Sequence, residues 1–205
     1  MNKILVLLST ITALISGPSY AMSGHYGLSS DYMWRGVSQS DGKPAINFSL
    51  EQEVGAGFYG GVQGSSVDFN DGTKIEYDLY GGYKYNRDKF SLDVGYMSYR
   101  YDANSDSRNF EEKYVVLGYD AISIGHASGM HDALDYDWVD LKVPFIDFAD
   151  VTLHYGDYDG VKDKSVNIEY ALSDTMSLGV LIQSNVRDDH IAIGDAVSVH
   201  FKTVF

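Results

Sequence analysis

From Met22 onward the apolar residues of this chain recur with a period of two, segment after segment, and not with the 3.6-residue period of a helix. Ile46, Phe48, Leu50 and Val54 oppose Asn47, Ser49, Glu51 and Glu53. Ile75, Tyr77, Leu79, Tyr83 and Tyr85 alternate with Glu76, Asp78, Tyr80, Gly82 and Lys84, and Phe90, Leu92, Val94 and Tyr96 with Ser91, Asp93 and Gly95. The same rhythm sets Val139 and Leu141 against Asp140 and Lys142, Ile168 and Tyr170 against Asn167 and Glu169, and Val197, Val199 and Phe201 against Ser198, His200 and Lys202. Near the start, Tyr26, Leu28, Tyr32 and Trp34 fall on one face and Gly27, Ser29, Asp31 and Arg35 on the other, which predicts one strand running through Arg35. Phe58–Ser66, Glu111–Tyr119 and Ile122–Gly129 carry the pattern less cleanly. In all, the alternation predicts about twelve strands of roughly nine to eleven residues, the length with which a tilted strand crosses a bilayer.

The connections alternate in length. Gly55–Gly57, Asn86–Lys89, Asp120–Ala121, Ile146–Phe148 and Ser173–Asp174 read as short turns. Val37–Pro44, Val67–Thr73, Asp102–Asn109, Met130–Asp135, Asp157–Asp163 and Asn185–His190 read as long polar loops. Short turns at one end and longer loops at the other are the pattern of an outer-membrane barrel, with an even number of strands and both chain ends on the periplasmic side. A soluble β-sandwich also alternates. It would, however, bury the apolar face, and here tyrosines sit near the strand ends as in an interfacial girdle. The opposite face carries ionisable groups in mid-strand that a soluble core would not tolerate unpaired. The fold class expected is therefore all-β, a transmembrane antiparallel up-and-down barrel.

The ends fit export. Lys3 precedes a nearly continuous apolar run, Ile4–Ile15, too short to span a bilayer. Ser16-Gly17-Pro18 breaks it, and Ser19-Tyr20-Ala21 offers small residues at a cleavage site. Residues 1–21 read as a signal peptide cut after Ala21, and 22–205 as the barrel in the outer membrane. The last strand ends on Phe205, the aromatic terminus that the outer-membrane assembly machinery reads, although Thr203 stands where an apolar residue is commoner. The 205 residues hold 29 acidic and 15 basic side chains and no Cys, which excludes nucleic acid as a partner and any disulfide or thiolate site.

The run Ser30-Asp31-Tyr32 through Arg35-Gly36 to Ser38-Gln39-Ser40-Asp41-Gly42-Lys43-Pro44 resembles the signature of the TorF-type family of proposed porins, also catalogued as Gcw-chp. Phe58-Tyr59-Gly60-Gly61, Ser66-Val67-Asp68-Phe69 and Ile75–Tyr83 carry the resemblance further, and it is densest over residues 24–100. It implies an exported proteobacterial barrel. It implies no catalytic or ligand-binding residue.

Candidate functional residues lie on the face opposite the lipid. Asp31, Arg35, Glu51, Glu53, Glu76, Asp78, Lys84, Asp93, Asp140, Lys142, Glu169 and Lys202 are the expected pore lining, and acids outnumber bases among them. A wet acidic lumen favours cations. The reading that follows is passive diffusion of small hydrophilic solutes with a mild cation preference. Its alternative is a non-conducting structural or interaction barrel, its lumen plugged by ion pairs and its acidic loops at work on the surface. Asp31 and Arg35, four residues apart on one strand, would stand about 13 Å apart and could not pair. Ser38, Gln39, Ser40, Asp41 and Lys43 are expected to fold back towards Arg35 and narrow the mouth as a constriction loop.

No cofactor is called for. His126, His131, Asp132 and Asp135 cluster in sequence without metal spacing and read as solvated loop residues. Asp157–Asp163 lacks the ligand pattern of a calcium loop. Glu51 and Glu53 are better explained as a polar wall than as an acid–base pair, and no hydrolase motif fixes a nucleophile, so an enzyme is not expected.

Overall fold

The computed structural model describes residues 22–102, 108–158, 160–187 and 192–205. The expected signal peptide, with its cleavage site at Ala21, lies outside the described residues, as do parts of the loops at Asp102–Asn109 and Asn185–His190. The elements, in chain order, are β1 (Met22–Ser29), β2 (Met33–Trp34), β3 (Val37–Ser38), β4 (Ala45–Gly55), β5 (Phe58–Ser66), β6 (Ile75–Arg87), β7 (Phe90–Tyr101), β8 (Phe110–Tyr119), β9 (Ile122–Met130), β10 (Tyr136–Lys142), β11 (Asp150–Tyr158), β12 (Val161–Ala171), β13 (Met176–Arg187) and β14 (Ala192–Val204). Twelve of them close an antiparallel barrel in sequential order, and β2 with β3 form a separate two-stranded sheet.

The barrel is built as the alternation predicts. Ile46, Phe48 and Leu50, Ile75, Tyr77 and Leu79, and Ile122 and Ile124 are exposed on the outside, while Glu76, Asp78, Glu112 and Asp163 are buried within. Inverting a soluble core in this way leaves the bilayer as the solvent for the exterior, and closing the sheet removes the unpaired edge that lipid cannot satisfy. The closure is made by β1, which pairs with β4 on one side and β14 on the other. At the seam Gly24 and Phe205 exchange backbone N–H···O bonds of 3.0 Å, and the Phe205 ring lies 6.5 Å from that of Tyr26. Strand lengths run from 7 residues in β10 to 13 in β6 and β14, a wider spread than expected.

Three local expectations are corrected. The first strand ends at Ser29, not Arg35. Ser30 closes its ladder, its N–H donating to the Val199 carbonyl at 2.8 Å and its Oγ accepting from the Val199 N–H at 2.9 Å, and the chain then turns into the barrel. Tyr32 and Trp34 therefore face the lumen and not the lipid. The period of two persisted because the inserted segment is itself an extended hairpin. Secondly, Asp157–Asp163 is not a long loop: β11 and β12 are joined by residues 159–160 alone, with Gly160 at φ 86°. Thirdly, the turn-side connection between β10 and β11, residues 143–149, is longer than the short turn expected there.

Candidate functional site in the lumen

The feature that fills the barrel is the segment between β1 and β4. Within it β2 and β3 pair through Met33↔Ser38 and Trp34↔Val37, leaving Arg35-Gly36 as a two-residue turn. Both turn residues have positive φ, 44° and 85°, the requirement of a type I′ hairpin. At the tip a Cβ on Gly36 would stand 2.5 Å from Asn185 Oδ1 and 2.7 Å from Asp163 Cβ, so only glycine lets the hairpin abut the β12–β13 wall.

Arg35 reaches the other way. Its two Nη groups donate to the two carboxylate oxygens of Glu112 on β8 at 2.6 and 2.7 Å, a bidentate pair whose side chains are only 9% and 2% exposed. The guanidinium is walled by aromatic faces, with its Cζ 4.3 Å from the Trp34 ring, 4.4 Å from Tyr136 and 5.2 Å from Tyr158. Trp34 packs edge-on against Tyr99, Phe110 and Tyr158. Tyr32 donates to Glu76 Oε1 at 2.9 Å, and Ser198 Oγ donates to the Asp31 carbonyl at 2.7 Å. One hairpin thus touches β6, β7, β8, β10, β11, β12, β13 and β14, and it spans the lumen at the loop end.

The polar residues expected to meet Arg35 meet other groups. Ser38 Oγ donates to Asp31 Oδ1 at 2.6 Å, and the Ser40 hydroxyl lies 2.9 Å from the same oxygen. The Asp68 N–H donates to the Gln39 carbonyl at 2.8 Å, which ties the segment to the β5–β6 connection. Lys43 bridges Asp41 at 3.0 Å and Asp68 at 2.9 Å, and Lys74 also reaches Asp68 at 2.7 Å. These lysines hold the Asp68 carboxyl well below its usual range, Lys74 most and Lys43 next. Asp71 is lowered to about 2, chiefly by the Thr73 backbone N–H, with the Thr73 hydroxyl and Arg108 adding to it.

Beside the hairpin runs a chain of polar groups, buried at Tyr136 and Asp163 and half-buried at Asp140 and His154. Asp140 Oδ1 lies 2.6 Å from His154 Nδ1, and His154 Nε2 lies 2.7 Å from the Tyr136 hydroxyl and 3.1 Å from Asp163 Oδ2. Asp78, 1% exposed, accepts from Gln63 Nε2 at 2.9 Å through Oδ2, while its Oδ1 has no side-chain partner among the described residues. Towards the turn end the lumen opens. Lys84 pairs with Glu51 at 2.8 Å and stands 4.0 Å over the Tyr59 ring, whose hydroxyl donates to Asp93 at 2.6 Å. The Tyr114 hydroxyl in turn donates to that of Tyr59. A cavity of about 350 Å³ there is lined by Lys84, Ser91, Asp93, Ser123 and Lys142. Another, of about 300 Å³, lies under the hairpin between Asp31, Met33, Asn47, Asn167, His200 and Lys202. Glu169 accepts from Ser177 Oγ at 2.5 Å, and Glu53 is exposed opposite Tyr59 at the turn-side rim.

Of the twelve expected lining residues, then, Arg35, Glu76, Asp78, Asp140, Glu51, Lys84 and Asp93 sit in contact networks, Asp31 braces the hairpin, and Lys142 and Lys202 face cavities. Glu112, Asp163, His154, Tyr99 and Tyr136 were not singled out from sequence. Among the described residues, no group of three or more His, Asp or Glu is placed to hold a metal ion.

A closed twelve-stranded barrel with an apolar exterior and a charged interior crossed by its own hairpin defines a transmembrane β-barrel of the outer-membrane type. The chain belongs to the family described as "Bacterial protein of unknown function (Gcw_chp)", whose profile matches residues 15–171. Among solved structures it is similar to the KdgM porin, with a TM-score of 0.64 at 10% identity over 89% of this chain and 98% of that one. It is similar also to the NanC porin, with a TM-score of 0.55 at 10% identity over 90% and 98%. Outer membrane phospholipase A from Escherichia coli follows at 0.51, with 13% identity over 95% of each chain. These likenesses are of fold. A search of curated proteins finds no match.

Proposed function

We propose that the protein is an outer-membrane channel of porin type, passing small hydrophilic solutes by diffusion, with the β2–β3 hairpin as its constriction. The observation that carries this reading is the division of the lumen: a hairpin packed across the loop end, one cavity directly beneath it, and another open at the turn end. The fold likeness to the KdgM and NanC porins supports it, and one KdgM structure is titled as a complex with disordered oligogalacturonate. The acidic excess among inward residues supports a mild cation preference. Residues 1–21 are proposed to direct export and to be cleaved near Ala21, and the Phe205 terminus to serve assembly; the TorF-type label fits the Ser30–Pro44 signature.

A second reading has its own observation. The buried Arg35–Glu112 pair and the Asp140–His154–Asp163 chain satisfy one another as a permanently plugged, purely structural lumen would. Planar-bilayer recording under a salt gradient separates the two. The channel reading expects conductance with a cation-biased reversal potential, altered by Glu76→Gln with Asp78→Asn. Protein that inserts but stays silent, with those substitutions changing only its unfolding in urea, establishes the plugged barrel instead.

A further inference from the structure

The outer, lipid-facing surface carries a group of chemistry-bearing side chains that the lumen does not use. On β9 the outward residues rise through Ile122 and Ile124 to His126 and Ser128 near the loop end. Directly across from His126 on β10 stands Asp137, and directly across from Ser128 on β8 stands Lys113. His126 Nδ1 lies 2.8 Å from Asp137 Oδ1, with the two side chains 46% and 72% exposed. That bond fixes the proton on Nδ1 and leaves Nε2, on the far side of the ring, as the basic nitrogen. Among the described residues neither Nε2 nor the Ser128 hydroxyl has a hydrogen-bond partner, and no carboxylate lies within 4.0 Å of Lys113. Ser128 is two residues on from His126 along the same face, about 6.7 Å between Cα atoms, a gap within the combined reach of an imidazole and a hydroxymethyl side chain once the two turn towards each other.

Immediately below this group is a groove of about 370 Å³ floored by Val115, Leu117, Ile124, Val139 and Tyr155, with His126 and Asp137 on its rim. The groove lies in the apolar band, and its rim lies where that band gives way to charge. An ester-linked lipid in the outer leaflet presents its chemistry in the same order, an acyl chain in the band and an ester at the boundary. A soluble ester would have no use for an apolar floor on the lipid side of the wall.

We infer that Ser128, His126 and Asp137 form an acyl-ester hydrolase site on the outer surface of the barrel, with an outer-leaflet lipid as substrate and the groove as its acyl-chain seat. Ser128 Oγ adds to the ester carbonyl carbon as its proton passes to His126 Nε2. The resulting oxyanion develops beside the Lys113 ammonium. Collapse breaks the bond to the leaving alkoxide, which takes the proton from His126. Water, deprotonated by His126 in its turn, adds to the acyl–Ser128 ester, and the fatty acid leaves with Ser128 restored. Asp137 is a positioning residue: it holds the imidazole in the tautomer that the first step needs.

The test uses the full-length protein in detergent with dioleoylphosphatidylethanolamine in mixed micelles and a fluorophosphonate as the covalent probe. Wild type is expected to release oleate and to carry the label on the peptide containing Ser128. Ser128→Ala is expected to lose the label and to lower turnover at least ~10²-fold. Asp137→Asn is expected to lower turnover by ~10²–10⁴-fold, with a changed pH–rate profile. Both side chains point away from the lumen, so unchanged bilayer conductance and heat-shifted gel mobility certify folding. Oleate release no greater from wild type than from Ser128→Ala, or a label at any other residue, overturns the assignment and leaves the channel reading untouched.

Discussion

Removing Arg35 is the sharpest perturbation of the lumen. Its side chain is 9% exposed and its bidentate partner Glu112 is 2% exposed, so Arg35→Ala leaves a carboxylate buried with one phenol, that of Tyr99 at 3.2 Å, as its remaining donor. Breaking a buried pair from one side costs on the order of 3–5 kcal/mol, mostly the penalty of the orphaned charge. The lost contacts with Trp34, Tyr136 and Tyr158 add to that. Set against the seating of the hairpin, a loss of that size moves the ratio of seated to displaced hairpin by about 10²- to 4 × 10³-fold, at 1.4 kcal/mol per tenfold. Glu112→Gln, which strands the guanidinium instead, is expected to act in the same direction. The double variant Arg35→Met, Glu112→Leu removes both charges and leaves an apolar contact, so it is expected to lie far closer to wild type than the sum of the singles. Single-channel recording reads the outcome as conductance and gating noise, raised in each single variant and largely restored in the double. Single variants with wild-type conductance and wild-type urea midpoints, or strictly additive effects in the cycle, would refute the argument that this pair seats the hairpin.

Three further outcomes follow from the same geometry. Gly36→Ala puts a Cβ 2.5 Å from Asn185 Oδ1 at a φ of 85°, so it is expected to unseat the tip and raise conductance while the barrel keeps its heat-modifiable mobility. The mouth clamp should be unusually acid-resistant. Asp68 and Asp71 are both depressed from the ordinary 3.8, Asp68 chiefly by Lys74 and then Lys43, and Asp71 to about 2. A lowered folded-state value means that the contribution is complete above the ordinary carboxylate range and is lost only as pH falls through the depressed value. Conductance titrated on the loop side should accordingly stay flat through pH 4 and change only near pH 2. Asp68→Asn removes the carboxylate that both lysines share, so its part of the change should vanish while the Asp71 part near pH 2 remains. Finally, Phe205→Ala removes the ring that closes the β1–β14 seam against Tyr26, and slower assembly in reconstituted outer-membrane insertion is the expected readout.

The barrel was legible because one physical rule governs every strand: lipid outside, charge inside, alternate residues. Where two residues of like character stand together, the rule loses its phase. Glu111-Glu112 is such a place. Glu111 faces outward to Arg100 and Glu112 inward to Arg35, and nothing in the pair itself tells which is which. Asp163 was hidden for another reason. Its neighbourhood, Asp157-Tyr158-Asp159-Gly160, has the composition of a loop, yet the strands run on to within two residues of each other there. Asp140 was on the expected inward face, but its contact with His154 depends on the register Asp140↔His154, which pairing fixes and composition does not. Tyr32 and Trp34 mark the limit of periodicity as a guide: an extended segment alternates whether it lies in the wall or crosses the lumen.

The size of the barrel explains why such a crossing segment is needed. Eight strands leave an interior that side chains fill, and sixteen or more leave an aqueous channel. Twelve leave a gap too wide for side chains to close from the wall, and here the first loop supplies the missing mass. It does so only at the loop end, so the turn end keeps its cavity. The hairpin's own ladder is confined to β2 and β3, a sheet distinct from that of the barrel. Displacing it breaks side-chain contacts and a few backbone bonds such as Asp68 N–H to Gln39 carbonyl, and leaves every interstrand bond of the wall intact. In the channel reading, permeability is therefore set by the hairpin sequence, and the contacts that seat the hairpin are concentrated in Arg35, Trp34 and Gly36 and not distributed round the wall.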